Sequence, residues 1–279
     1  MTLSFDGVHK IIRARRGFAR LNLAEMWEFR ELIYFLAWRD ILVRYKQTVI
    51  GVLWALIRPL LTIVIFTIVF GRFVRVPTGS IPYPILALAG LLPWQLFSTA
   101  FSESSSSVVG NAQLVSKIYF PRLIMPLSAI VASLADFLVS LFMLAVLIVW
   151  YRVPVSATIV WMPLFLFLCL IIALGSGIWF AALYVRYRDI RHVIPFIVQL
   201  GLYISPVGFP SSVVPARWRF LYSLNPMVGV IDGFRWSLFG GRNPIYLPGL
   251  AISVALSIAI LIGGTYYFRN TERLFADII

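Results

Sequence analysis

The chain has 279 residues, 61% of them hydrophobic and 13% charged, with a mean hydropathy of +0.91. That much apolar surface excludes a water-soluble domain and implies a protein that crosses a membrane several times. A formal charge of +13 would point to nucleic acid in a soluble protein; here arginines and lysines flanking apolar spans account for it, and nucleic acid is not an expected partner.

Residues 1–48 read as a basic cytoplasmic N-terminus, with no apolar core or small-residue cleavage site of a secretory signal. Within it Trp27, Tyr34, Trp38, Ile41 and Tyr45 recur at helical spacing, with Glu25, Glu28, Glu31 and Arg39 largely opposite. That stripe predicts an amphipathic helix lying in the headgroup plane, although Phe29, Phe35 and Leu36 fall outside it.

A membrane crossing needs about 20 apolar residues. Six are predicted, at 49–71, 84–108, 123–150, 159–185, 193–209 and 246–268, followed by a cytoplasmic C-terminus at 269–279. The fifth is the shortest and carries Pro195 and Pro206. Sixteen lysines and arginines fall on the side of the N-terminus and seven, Arg235 among them, on the other, which places both termini in the cytoplasm. The expected fold is all-α and integral to the membrane.

Three ionisable residues lie inside these spans. Arg58, next to Pro59, is roughly 13 Å from the inner surface, Glu103 roughly 9 Å and Asp136 roughly 20 Å, by helical rise. A charge at such depth faces protein or water rather than lipid, and Arg58 with Glu103 is the preferred pairing. Asp136 shares a small, polar stripe with Ala129, Ser133 and Ser140, and Ser98, Ser102 and Ser106 form a polar line beside Glu103. Ala173, Gly177 and Ala181, and Ala251, Ala255, Ala259 and Gly263, are small-residue stripes expected to pack against neighbouring helices.

The stretch 210–242 is too apolar for a solvated loop and too broken for a crossing. It predicts one or two short helices re-entering the outer leaflet, as a plug or gate. Two turns on the cytoplasmic side, 111–122 and 185–192, combine charge with the aromatics Tyr119, Phe120 and Tyr187, which topology alone does not require and which suit docking. No Gly-x-x-x-x-Gly-Lys-Ser/Thr loop occurs, so ATP would have to be held by another subunit. His9, His192 and Cys169 form no metal-ligand or nucleophile–base pattern, and the scattered acids do not suggest an enzyme.

Four segments, Arg44-Tyr-Lys-Gln-Thr-Val-Ile-Gly-Val-Leu-Trp54 to Pro59, Leu114-Val-Ser-Lys117-Ile-Tyr-Phe-Pro121, Arg186-Tyr-Arg-Asp189-Ile and Tyr222-Ser-Leu-Asn225-Pro226, carry a resemblance over roughly 40–241. They resemble the permease subunits of type-2 ABC exporters of polysaccharides, among them O-antigen, capsule and teichoic acid permeases. The resemblance implies a bacterial inner-membrane homodimer that carries a lipid-linked polysaccharide such as O-antigen. Beneath it a separate ABC ATPase homodimer would bind ATP and Mg, with no cofactor in this chain. It makes Trp27, Glu31, Lys117, Tyr119, Phe120, Arg186, Tyr187, Arg188 and Asp189 candidates for ATPase coupling. Pro215, Trp218, Tyr222, Asn225, Pro226 and Trp236 become candidates for an outer gate. Related sequences often carry a neutral polar residue where this one has Arg58. A glycan path suits the 15% aromatic content, because sugar C–H faces stack on rings. Trp54, Phe66, Trp94, Phe97, Phe101 and Tyr203, with Arg58, are the channel candidates. The alternatives are a drug, haem or lipid exporter of the same fold, and a membrane scaffold or enzyme of surface-glycan assembly.

Overall fold

The computed structural model describes residues 23–46, 51–79, 81–240 and 245–275, and every regular element among them is helical. In chain order these are α1 (Leu23–Glu28), α2 (Arg30–Lys46), α3 (Gly51–Phe66), α4 (Tyr83–Gly110), α5 (Ala112–Lys117), α6 (Ile124–Trp150), α7 (Met162–Arg186), α8 (Ile190–Ile204), α9 (Ala216–Tyr222), α10 (Pro226–Phe239) and α11 (Leu247–Thr271). A π-helical stretch, Thr67–Phe73, continues α3, and a 3₁₀ turn, Ala157–Trp161, leads into α7. Prolines open α4, α7, α10 and α11, where a missing N–H costs nothing and the fixed φ suits the first turn.

Four helical segments are long and apolar enough to cross a membrane: Tyr83–Gly110, Ile124–Trp150, Ala157–Arg186 and Leu247–Thr271. They coincide with the second, third, fourth and sixth expected spans. The fifth is shorter than expected: α8 has 15 residues, about 22 Å of helix, and ends at Ile204 rather than 209. Residues Pro59–Phe73, in the first expected span, also form a shorter apolar helical run.

α4 is the central helix. It packs against α3, α6, α7, α8 and α10, and Ile85, Leu88, Leu92 and Phe101 on it are buried with Cys169 and Ile172 of α7 and Phe234 of α10. A second core gathers Leu36, Val115, Phe120, Leu123, Ile124, Val185, Phe268 and Phe275, which brings α2, α5 and the C-terminal ends of α7 and α11 to one end of the bundle. There Arg122 donates to the Glu272 carbonyl and lies over the Phe275 ring.

The closest helix crossing is between α7 and α11. A Cβ on Gly264 would come within 2.2 Å of the Gly175 carbonyl oxygen, and one on Gly175 within 2.7 Å of the Leu261 backbone. Glycine at both positions sets this separation. The Ala173–Gly177–Ala181 stripe is buried, with Gly177 against Ser104 of α4. The alanine stripe expected to pack in the last span does not: Ala251, Ala255 and Ala259 are exposed, and α11 instead buries Gly249, Ser253, Ser257, Gly264 and Phe268. Two offset stripes compete on one helix, and the serine and glycine stripe is the closer-fitting face. Ser257 donates to the Ser253 carbonyl at 2.5 Å.

The expected short helices in 210–242 are α9 and α10, and α10 is buried, packed between α4, α7 and α11. A Cβ on Gly233 would meet the Phe165 ring of α7 at 2.0 Å, so glycine there lets α10 seat against α7.

Candidate functional site

Although most of α4 is buried, one face stays half-exposed and polar: Gln95, Ser98, Thr99, Ser102 and Ser106, with Glu103 beside them. Ser98 donates to the Gln95 carbonyl at 3.0 Å and Ser106 to the Ser102 carbonyl at 3.0 Å. A helix absorbs serine hydroxyls in this way, but a glutamine and a glutamate carry more polarity than its own backbone satisfies. Exposed to hydrocarbon this face would be costly, so it suits water or another polypeptide.

The end of this stripe is closed by an ionic cluster. Arg44 of α2 bonds Asp136 of α6 and reaches Glu103 of α4, Nη2 to Oε1, at 3.1 Å; Tyr45 donates to the other Asp136 oxygen. The Arg44 and Asp136 side chains are 28% and 30% exposed, Glu103 50%. One guanidinium thus ties the N-terminal helix to two bundle helices. Burial, and then the bond to Asp136, push the Tyr45 hydroxyl well above its ordinary pKa, so it remains a donor. Glu103 and Asp136 therefore share Arg44. The expected Arg58–Glu103 pair falls on a side chain outside the described residues, as does Trp54.

α2 presents two apolar faces rather than one. Phe29, Leu32, Ile33 and Leu36 meet the bundle, whereas Trp27, Tyr34, Phe35 and Trp38 are exposed, with Tyr34 and Trp38 stacked at 6.4 Å. Residues outside the predicted stripe thus make the apolar protein contact, while Tyr45 of the stripe makes a polar one. At the same end of the bundle Glu31, Lys117, Tyr119, Arg186, Tyr187, Arg188 and Asp189 are exposed, and the Arg186 guanidinium lies 5.4 Å from the Tyr187 ring centre. Phe120 differs: it is buried in the second core and anchors its turn.

The channel candidates separate by burial. Trp94, Phe97 and Phe101 stack along the inside of α4, at 5.4 and 5.7 Å, and fill the core of the protomer. Phe66 is half-buried, edge-on to Phe70 at 5.4 Å. Tyr203 on α8 is 65% exposed.

At the opposite end, Arg235 of α10 is fully buried and donates to three carbonyls: Leu86 of α4 (Nε 3.2 Å, Nη2 3.1 Å), Val207 (Nη2 2.7 Å) and Phe209 (Nη1 3.0 Å). It was expected on the outer surface as a topology signal. The guanidinium instead satisfies irregular backbone that follows α8, as non-helical chain inside a bundle requires. Tyr83 donates to the Gly208 carbonyl at 2.7 Å, and Asn225 Nδ2 to Ser205 Oγ at 2.9 Å. Gly90 makes room, since its Cβ would lie 2.3 Å from Arg235 Nη2.

The other gate candidates frame this end. Pro215 precedes α9, on which Trp218 is exposed; Asn225 caps α10 by accepting from the Met227 N–H at 3.0 Å, with Pro226 in its first turn. Trp236 packs edge-on to Phe165 at 6.4 Å. Tyr222 is half-buried with its hydroxyl enclosed. Asp232 is 6% exposed; burial raises its carboxyl, while Ser211 and Arg235 pull it down. Among the described residues no three His, Cys, Asp or Glu side chains are grouped to hold a metal.

Residues 31–239, roughly three quarters of the chain, match the ABC-2 type transporter family. The chain belongs to that family. Nearly its full length is also similar to curated relatives. It is 28% identical over 258 residues to an O-antigen export system permease protein, RfbA, of Myxococcus xanthus, covering 91% of this chain and 98% of the relative. A Klebsiella pneumoniae RfbA is 28% identical over 250 residues, covering 89% and 95%. The polysialic acid transport protein KpsM of Escherichia coli is 26% identical over 242 residues, covering 84% and 91%.

For an ABC-2 transporter, the polar contacts of four well-placed residues, Arg44, Tyr45, Asp232 and Arg235, were not foreseen from sequence. Arg44 and Arg235 both resemble topology signals, and the acids and carbonyls they meet lie 59 to 149 positions away or across an irregular turn. The fragment Asp232-Gly-Phe-Arg235, two charges amid apolar residues, was the one available sign of a buried pair.

Proposed function

We propose that this chain is the membrane subunit of an ATP-driven exporter that moves a polysaccharide, with O-antigen the first candidate, across a bacterial inner membrane. The observation that carries the proposal is the likeness, over about nine tenths of the chain, to permeases named for O-antigen export; capsule-type relatives share the same substrate chemistry. Two copies would face each other across the polar stripe of α4, giving it water and glycan hydroxyls instead of lipid. Six crossings with both termini in the cytoplasm fit the arginine and lysine distribution, with Gly51–Phe73 and the short α8 as the first and fifth. A separate ATPase dimer, holding ATP and Mg, would dock where Tyr119, Arg186, Tyr187 and Asp189 are exposed. The Arg44 cluster then transmits movement of α2 to α4 and α6, and α9 with α10 forms the outer gate. The test is purification of the tagged chain from its native cells in mild detergent. A stoichiometric ATPase, with turnover that rises in the complex, is expected; a chain isolated without any ATPase overturns the proposal.

A further inference from the structure

The end of the bundle that carries α9 and α10 contains a cavity of about 170 Å³ between these helices, the 3₁₀ turn Ser211–Val213 and the start of α11. An engineered cavity of about 150 Å³ admits a six-membered ring, so this space is of the size of one such ring. Its lining is mixed, largely apolar with a few polar groups. Asp232, almost wholly buried and bonded to Ser211, offers a carboxylate, Arg219 a guanidinium, and Tyr246 a ring. The Tyr222 hydroxyl is buried on this wall and has no hydrogen-bond partner, which at that depth costs about 1–3 kcal/mol. The rim is open at Ser212, which is exposed, and at Tyr246, 38% exposed.

This donor and acceptor set selects among ligands. A phosphate or other anion would meet one guanidinium but also the Asp232 carboxylate beside it. An apolar ring would leave the Tyr222 hydroxyl without a partner and would add nothing to the bonds that Asp232 has with Ser211 and Arg219 with the Val214 carbonyl. A neutral ring that carries several hydroxyls suits this set: each hydroxyl both gives and takes a hydrogen bond, so it can donate to Asp232 and accept from Arg219 or Tyr222, while its C–H face packs against the Tyr246 ring. We propose that this cavity is a binding site for one pyranose unit, a sugar subsite at the end of the bundle remote from α2. The inference rests on the polysaccharide reading above and adds to it a place where a single sugar is held after it has passed the spans. Hydrogen bonds to one ring in an open cavity give weak binding, which a path for a long chain requires at each step.

The test uses the full chain with its co-purified ATPase in lipid nanodiscs, with saturation-transfer NMR on methyl α-mannopyranoside, methyl β-galactopyranoside and methyl N-acetyl-β-glucosaminide, and cyclohexanol as the apolar ring control. At least one glycoside, and not cyclohexanol, is expected to receive saturation at its ring protons. Asp232→Asn, similar in shape, should weaken that binding about tenfold, the loss of one strong hydrogen bond. Tyr222→Phe, which removes a hydroxyl with no protein partner and leaves folding intact, should weaken it less. Wild-type protein that saturates no glycoside, or binding unchanged in both variants, overturns the subsite. In parallel, cells lacking the chain are assayed for retained polysaccharide. Retention without glycoside binding defeats the subsite alone; normal export from those cells defeats the polysaccharide reading and the subsite with it.

Discussion

Replacement of Arg235 by methionine keeps the volume and apolar stem of the side chain and removes every donor. Four contacts to three carbonyls are lost, on Leu86, Val207 and Phe209, two of them in the irregular segment that joins α8 to α9. Removing one side of a buried charged interaction costs about 3–5 kcal/mol, less than the sum of the individual bonds because the methionine no longer buries a charge. For a chain of this size that corresponds to a fall in Tm of roughly 10 °C. The measurement is thermal unfolding of the detergent-purified protein followed by intrinsic tryptophan fluorescence. Arg235→Lys should recover only part of the loss, since an ammonium cannot span three carbonyls in a fork. Gly90→Ala, whose Cβ would displace the guanidinium and also meet the Val207 carbonyl oxygen at 2.7 Å, should reproduce much of it. A methionine variant that melts within about 2 °C of the wild type would refute the reasoning, because a guanidinium so placed cannot then be what holds the segment.

Other perturbations separate the remaining parts. Asp136→Asn should destabilise the protein more than Glu103→Gln, because Asp136 bonds both Arg44 and Tyr45 whereas Glu103 is half-exposed and such pairs contribute about 1 kcal/mol or less; equal effects in denaturation would contradict the shared cluster. Gly175→Val should prevent close packing of α7 and α11 and lower the yield of folded protein in the membrane, and wild-type yield and Tm would show that the helices do not meet there. Trp94→Ala should lower stability by about 3–5 kcal/mol as a core truncation, whereas Tyr203→Ala should leave Tm unchanged; the opposite ranking would place Trp94 on a surface. Tyr119→Ala and Asp189→Ala should leave folding intact and reduce ATPase stimulation in the complex; full stimulation in both would remove these turns from the coupling.

The four long apolar helices were legible because twenty or more apolar residues in a row leave few alternatives. Asp136 was also placed correctly among small, polar residues of α6, since three- and four-residue spacing fixes which side chains share a face. Direction towards a partner was harder. α2 carries apolar residues on two faces, and periodicity alone does not say which face meets protein; Trp27, Tyr34 and Trp38 of the predicted stripe are outward, Tyr45 meets α6, and Phe29 and Leu36 are inward. On α11 the alanines looked like the packing face, and the serines and glycines offset from them are. The buried setting of α10 was less legible, because Asp232 and Arg235 place two charges in an otherwise apolar segment and what they meet lies elsewhere in the chain. The burial of Arg235 is offset by carbonyls on α4 and in the turn after α8, which no local pattern announces. The aromatic run on α4 was read as a channel wall for the complementary reason, that ring-rich sequence marks cores and glycan paths alike.

The central claim is that this ABC-2 transporter exports a polysaccharide, and the most direct measurement is where the polysaccharide resides when the chain is removed. Cells deleted for it, with the synthesis genes intact, should lose surface glycan and accumulate lipid-linked polysaccharide on the cytoplasmic side, detectable by antibody only after permeabilisation. Restoring the chain should return the glycan to the surface. Surface polysaccharide of normal amount and length in the deleted cells, with none retained inside, would contradict the account.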